Sequence, residues 1–138
     1  MTKLTWVSTI MRVVLGILFA AHGITKFQMG LGNVAVWFGS MGIPGFAAYI
    51  VALLELIGGI LLIIGLFTRY VSVLFTILLI GAIITAKLPL GLLGNGQMSG
   101  YELDLAFMMI AIYLSVADPA PLSIDQVLHR KRGPQTAN

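Results

Sequence analysis

The sequence predicts an all-α integral membrane protein. The expected architecture is a four-helix bundle, N-in and C-in, with a short cytoplasmic surface helix after the last span. Three observations carry this. Hydrophobic residues make up 59% of the chain and charged residues only 9%, against about 25% charged in a soluble domain, and mean hydropathy is +1.02. The apolar residues fall into four runs, 6–27, 46–67, 70–87 and 101–117, where a span needs about 20 residues. The basic residues then segregate. Lys3, Arg69 and the "HRKR" tail (129–132) fall on one side, Lys26 and Lys87 on the other, and the positive-inside rule makes the first side cytoplasmic. The whole chain, 1–138, reads as one domain.

The first run has the outline of a signal peptide, with Lys3 and Arg12, an apolar stretch and then Ala20-Ala21-His22-Gly23. Its polar residues recur at helical spacing, which favours a retained span. In the connection "QMGLGNVAVWFGSMGIPG" (28–45), Asn33 is placed to cap a short interfacial helix holding Val34, Trp37 and Phe38. Pro44 suits the first turn of the second span. That span carries one charge, Glu55. "LFTRY" (66–70) is a tight turn, so the second and third spans should be antiparallel neighbours. The third has no charge before Lys87, and "LPLGLLGNGQMSG" (88–100), with its proline and glycines, reads as a mobile connection.

The fourth run is marginal. Its uncharged part begins only at Leu105, so a full span includes Glu102 and Asp104; its roughly 17 residues reach about 25 Å. A three-span chain would leave the "HRKR" tail outside, against the charge rule, so the tail supports the fourth span. Beyond Pro119 and Pro121, "SIDQVL" holds Ser123 and Gln126 in capping-box spacing, with Ile124, Val127 and Leu128 on one face. This is the surface helix, and the basic tail (118–138) favours anionic lipid.

Depth along the spans brings the polar groups together. At 1.5 Å per residue from the cytoplasmic ends, Arg12 lies at about 9 Å and Glu55 at about 18 Å. His22, Lys87, Glu102 and Asp104 lie at about 20–26 Å and Lys26 at about 30 Å. His22 and Lys26 share a face at i,i+4, and Arg12 lies near it. Ionisable residues inside a bilayer face the bundle interior and pair. Glu55, far from either interface, needs a basic partner, for which Arg12 and His22 are the candidates. Plainer readings stand beside these. Lys26, Lys87 and Arg12 also suit snorkelling to an interface. Glu102 follows Ser99 in S-x-x-E spacing, Asp104 suits a helix dipole, and His22 suits a bond to a neighbouring carbonyl. The glycines suit close helix packing.

The composition also excludes chemistry. No cysteine is present, which removes thiolate nucleophiles, disulfide exchange and iron–sulfur ligation by this chain. The basic residues form no stripe beside aromatics, so no nucleic-acid partner is expected. No ligand spacing signals a metal.

The motifs "RVVLGILFAAHGITKF" (12–27), "GIPG" (42–45), "ELIGGILLIIGLFTRY" (55–70), Lys87 and "YELD" (101–104) together resemble the DoxX family of small bacterial membrane proteins. The resemblance covers about residues 10–118. It implies a four-helix bundle in the bacterial cytoplasmic membrane, and an oxidoreductase role linked to quinones, sulfur-compound oxidation and oxidative stress.

The leading expectation is therefore a quinone-linked oxidoreductase, or a quinone-binding subunit of one, with no intrinsic cofactor and a quinone or catechol-like ligand. His22, Lys26 and Glu55 are the candidate catalytic residues; Arg12, Lys87, Glu102 and Asp104 are the candidate ligand-binding residues. An imidazole titrates nearer neutrality than any other unperturbed side chain, so His22 is cast as proton donor. Lys26 stabilises developing negative charge, and Glu55 or Glu102 relays protons. Two other functions compete. One is a non-catalytic subunit anchoring a soluble redox partner through the tail and the 88–100 loop. The other is a small-solute carrier coupled through Glu55, which at four spans would need a homo-oligomer.

Overall fold

A computed structural model describes residues 3–97, 99–118 and 122–131. The described residues are helical, with no strand among them. Helix α1 (Lys3–Met29) is followed by α2 (Leu31–Ser40), α3 (Phe46–Ile64) and α4 (Thr68–Ala82). A π turn (Ile83–Lys87) and a 3-10 turn (Leu88–Leu90) continue α4, and α5 (Glu102–Val116) and α6 (Ile124–Lys131) complete the chain. Three helical stretches among the described residues are long and apolar enough to cross a membrane: Lys3–Met29, Phe46–Ile64 and Thr68–Leu90. Helix α5 has 15 residues, about 22 Å of helix, which is short of a hydrocarbon core of about 30 Å.

Helix α1 packs mainly on α3, and α4 mainly on α5. Small residues set the α1–α3 distance. A Cβ added at Gly16 would stand 2.7 Å from the Gly59 carbonyl oxygen, and one at Gly23 would stand 2.7 Å from the Leu56 amide nitrogen. The backbones therefore touch, as small residues permit between helices in lipid. As numbers rise along α1 they fall along α3, so the pair is antiparallel. One buried cluster joins four helices: Leu15 and Phe19 of α1, Leu62 of α3, Val71, Phe75 and Leu79 of α4, and Phe107, Ala111 and Leu114 of α5. Phe19 and Phe75 stack at its centre, with ring centroids 3.9 Å apart. A smaller cluster of Val34, Phe38 and Ala48 seats α2 on the start of α3.

The connections follow local chemistry. Gly65 ends α3 in the left-handed region, at φ 73°. Its amide bonds the Leu62 carbonyl at 3.2 Å, and the Leu66 amide bonds Leu61 at 2.9 Å, a glycine-ended Schellman pattern. Only Gly65 to Phe67 separate α3 from α4, as the tight turn requires. Helix α2 departs from expectation. It starts at Leu31 after Gly30, and Asn33 does not cap it, because its side chain turns back to the Met29 carbonyl at 2.8 Å. Pro44 lies just before α3, where its carbonyl accepts from Ala47 at 3.0 Å. Helix α5 begins after Tyr101 with no side-chain cap, so Ser99 and Glu102 do not form the capping box. In α6 the Gln126 amide does donate to Ser123 Oγ, at 3.1 Å. The tail from 132 onward, and Pro119 and Pro121 before α6, lie outside the described residues.

Candidate functional site

Lys26 sits in the last turn of α1 and Glu55 midway along α3. The antiparallel register brings them together, and Lys26 Nζ donates to Glu55 Oε2 at 2.8 Å. Glu55 is 8% exposed, so its charge is largely removed from solvent and the ammonium compensates it. The sequence offered Arg12 or His22 as this partner, and the structure corrects that to Lys26. The reason is geometric. Helical side chains lean toward their own N-terminus. Lys26 leans down α1 toward mid-helix and Glu55 leans up α3 toward Lys26, whereas Arg12 leans away from both.

His22 lies one turn before Lys26 on α1. Its Nδ1 is 2.7 Å from the Leu18 carbonyl, and its ring meets Phe107 of α5 edge-on, with centroids 6.3 Å apart. A carbonyl only accepts, so Nδ1 carries the proton and Nε2 of the neutral ring is an acceptor. Lys87, ending the π turn, stands 3.6 Å from Asp104 Oδ2 in the first turn of α5. Glu102, on the same first turn, is exposed. Lys26, Glu55, Lys87, Glu102 and Asp104 thus share one end of the molecule, in two separate pairs with Glu102 outside both.

Arg12 belongs to the opposite end. It is 1% exposed and lies against Gly65, and Nη2 donates to the Leu122 carbonyl at 3.1 Å. Beside it, Asp125 of α6 ties three segments together. Its Oδ1 accepts from the Phe67 amide at 2.8 Å and its Oδ2 from the Thr68 amide at 2.9 Å. Its own amide donates to the Gly65 carbonyl at 2.9 Å. Asp125 therefore caps α4 from a distant part of the chain and holds Phe67 in the left-handed region, at φ 55°. Ser8 and the Tyr113 hydroxyl hydrogen-bond nearby, joining α1 to α5. Among the described residues no group of three or more His, Cys, Asp or Glu side chains is placed to hold a metal.

The DoxX family model matches residues 7–88. The chain belongs to the DoxX family. It is 44% identical over 116 residues to a Bacillus subtilis protein named putative oxidoreductase CatD, covering 84% of this chain and 82% of the relative. It is 32% identical over 134 residues to the membrane protein Rv3486 of Mycobacterium tuberculosis, covering 87% and 80%. It is 30% identical over 123 residues to the inner membrane protein YqjF of Escherichia coli, covering 87% and 90%. No solved structure matches it significantly.

The DoxX match spans Arg12, His22, Lys26, Glu55 and Lys87, and stops before Glu102 and Asp104. Reading the sequence missed Asp125, Ser8 and Tyr113. An aspartate just after a helix start was a visible signal in "SIDQVL", but nothing local shows that its carboxylate serves another helix.

Proposed function

We propose that this DoxX protein is a quinone-linked oxidoreductase subunit of the bacterial cell membrane, with four spans and both termini cytoplasmic. The four-span arrangement is supported by α5, which buries Phe107, Ala111 and Leu114 in the shared core and leaves Leu103, Leu105, Met109, Ile112 and Val116 outward. An apolar outer surface suits lipid. The relative named putative oxidoreductase CatD supports the reaction class.

The observation that carries the reading is the Lys26–Glu55 pair, held at spanning depth one turn from His22. A quinol supplies two electrons and two protons when it is oxidised. On this reading His22 Nε2 accepts a proton from a ring hydroxyl, and Lys26 donates a hydrogen bond to the ring oxygen as negative charge grows there. Glu55 fixes the ammonium and offers a second proton-accepting carboxylate. On this reading the two electrons pass to a soluble redox partner acting as oxidant, since the chain has no thiol to hold them.

The test is titration of a quinone analogue against the parent, His22→Ala and Lys26→Ala, with matched circular dichroism. Loss of a charged hydrogen bond, about 1.5–3 kcal/mol, weakens binding by about tenfold or more. Co-purifying quinone in solvent extracts, read by mass spectrometry, is the supporting result. Equal binding by all three proteins, or none by the parent, overturns the proposal and leaves the membrane-anchor reading in its place.

A further inference from the structure

The end of the molecule that holds Arg12 contains a cavity of about 480 Å³, lined among others by Ser8, Arg12, Arg69, Tyr70 and His129. Its volume falls within the range of small-molecule sites, about 300–1,000 Å³. Nothing in the quinone reading uses it. Arg12 on its wall is a cation only 1% exposed, with donors to spare. Among the described residues, Arg12 Nε and Nη1 have no hydrogen-bond partner, and Nη2 reaches only the Leu122 carbonyl. A guanidinium has five N–H donors, and burying them unmet is costly, more so on a charged group. Asp125, also on the wall, offsets part of the Arg12 charge at a distance, but its two oxygens bond the amides of Phe67 and Thr68 and leave the Arg12 donors unmet. Asp118, the other carboxylate of the lining, is exposed. Arg69, at the start of α4, adds a second permanent positive charge, and His129 of α6 adds an imidazole.

We infer that this cavity binds a phosphate oxyanion, with Arg12 as the buried donor and Arg69 at the rim. Arginine suits phosphate because its donors are fixed in a plane and its charge is permanent. Unmet donors on two different nitrogens of Arg12 favour a ligand with several oxygens, which a tetrahedral phosphate supplies. The cavity lies where the α3–α4 turn and the start of α6 meet, at the ends of the apolar helices. Both a lipid headgroup and a soluble phosphate reach that level.

Two arms separate the sources. In the first, inorganic phosphate is titrated against the full chain in uncharged detergent, with melting temperature and calorimetry as readouts. In the second, the protein is placed in phosphatidylglycerol or phosphatidylcholine nanodiscs, and melting temperature and tightly retained lipid are measured. The parent should be stabilised by phosphate, by phosphatidylglycerol over phosphatidylcholine, or by both. Stabilisation in the first arm alone assigns a soluble phosphate, and in the second alone a lipid headgroup. Arg12→Lys should weaken binding about tenfold or more. Arg69→Gln, at an exposed position, should weaken it several-fold with the fold intact. Should Arg12→Lys fail to fold, Arg69→Gln decides alone. No response from the parent to either probe, or parent-like binding by the variants that fold, overturns the inference.

Discussion

At one end of the α1–α3 pair, Lys26 meets the Glu55 carboxylate at 2.8 Å. At the other, among the described residues, Arg12 donates one hydrogen bond, to the Leu122 carbonyl at 3.1 Å. Both cations sit on α1 and both lean toward its N-terminus, yet only Lys26 makes a direct ion pair, while Arg12 feels the Asp125 carboxylate without contact. At Lys26, opposite charges are buried together and each depends on the other. At Arg12, the nearby carboxylate of Asp125 is engaged with backbone amides, so the guanidinium keeps unmet donors beside a cavity. The contrast teaches that a charge on an apolar helix carries two kinds of information. A completed pair marks a place where charge balance is built into the fold. An incomplete one leaves donors of the charged group unmet beside a cavity.

The largest expected effect tests what both ends share, the α1–α3 contact. Gly59→Leu places a side chain where a Cβ alone would lie 2.6 Å from the Gly16 carbonyl oxygen. Overpacking costs about 1–3 kcal/mol and more where backbone must move, so the detergent-solubilised protein should lose most of its thermal stability. A parent-like melting temperature would break the register on which the comparison rests.

Next comes the asymmetry itself. Glu55→Ala strands the Lys26 charge, and breaking a buried pair costs about 3–5 kcal/mol in soluble proteins. Arg12→Met leaves the Leu122 carbonyl unbonded and removes a charge that Asp125 feels at a distance, but Asp125 keeps its two backbone amides, so it should cost about 1–3 kcal/mol. The double variant Lys26→Met, Glu55→Leu should recover much of what Glu55→Ala loses, since an apolar pair can replace a buried ionic one. Melting curves for the four proteins check the ranking, and an equal loss for Glu55→Ala and Arg12→Met would erase the distinction.

A smaller effect belongs to Asp125. Asp125→Ala removes the acceptor for the Phe67 and Thr68 amides, and loss of a helix N-terminal cap costs about 0.5–2 kcal/mol. Asp125→Asn should retain part of that, as read by hydrogen exchange at the start of α4. The smallest is Lys87→Ala. Its contact with Asp104 is 3.6 Å long and the lysine side chain is 29% exposed, so stability should change by about 0–1 kcal/mol. A larger loss would show that this pair belongs with Lys26 and Glu55.

Much of the fold was legible because hydropathy and glycine spacing act locally. The runs around 6–27 and 46–67 reappear as α1 and α3, and Gly16, Gly23 and Gly59 line their contact. The residues of the Lys26 end were legible as types, but their pairing was not. Depth counted from the expected span ends separated Lys26 from Glu55 by about 12 Å, but the helix register sets Gly23 against Leu56, which brings Glu55 within about a turn of Lys26. Arg12, 14 residues before Lys26 and so about 21 Å away along α1, lies at the other end, so three basic groups on one stripe do not share one site. Asp125 was not legible at all. Its role depends on α6 docking beneath the α3–α4 turn, a contact between residues 57 and 58 positions apart. Ser99 and Glu102 had the spacing of a capping box, but α5 starts after Tyr101 with no side-chain cap.

The central claim is that the two ends serve different ligands, and a crossed titration tests it most directly. A quinone analogue and inorganic phosphate, or phosphatidylglycerol nanodiscs, are each titrated against the parent, His22→Ala and Arg69→Gln. The account predicts that His22→Ala loses the quinone and keeps the phosphate response, while Arg69→Gln weakens the phosphate response and keeps the quinone. Both ligands failing in the same variant, with circular dichroism unchanged, would contradict it.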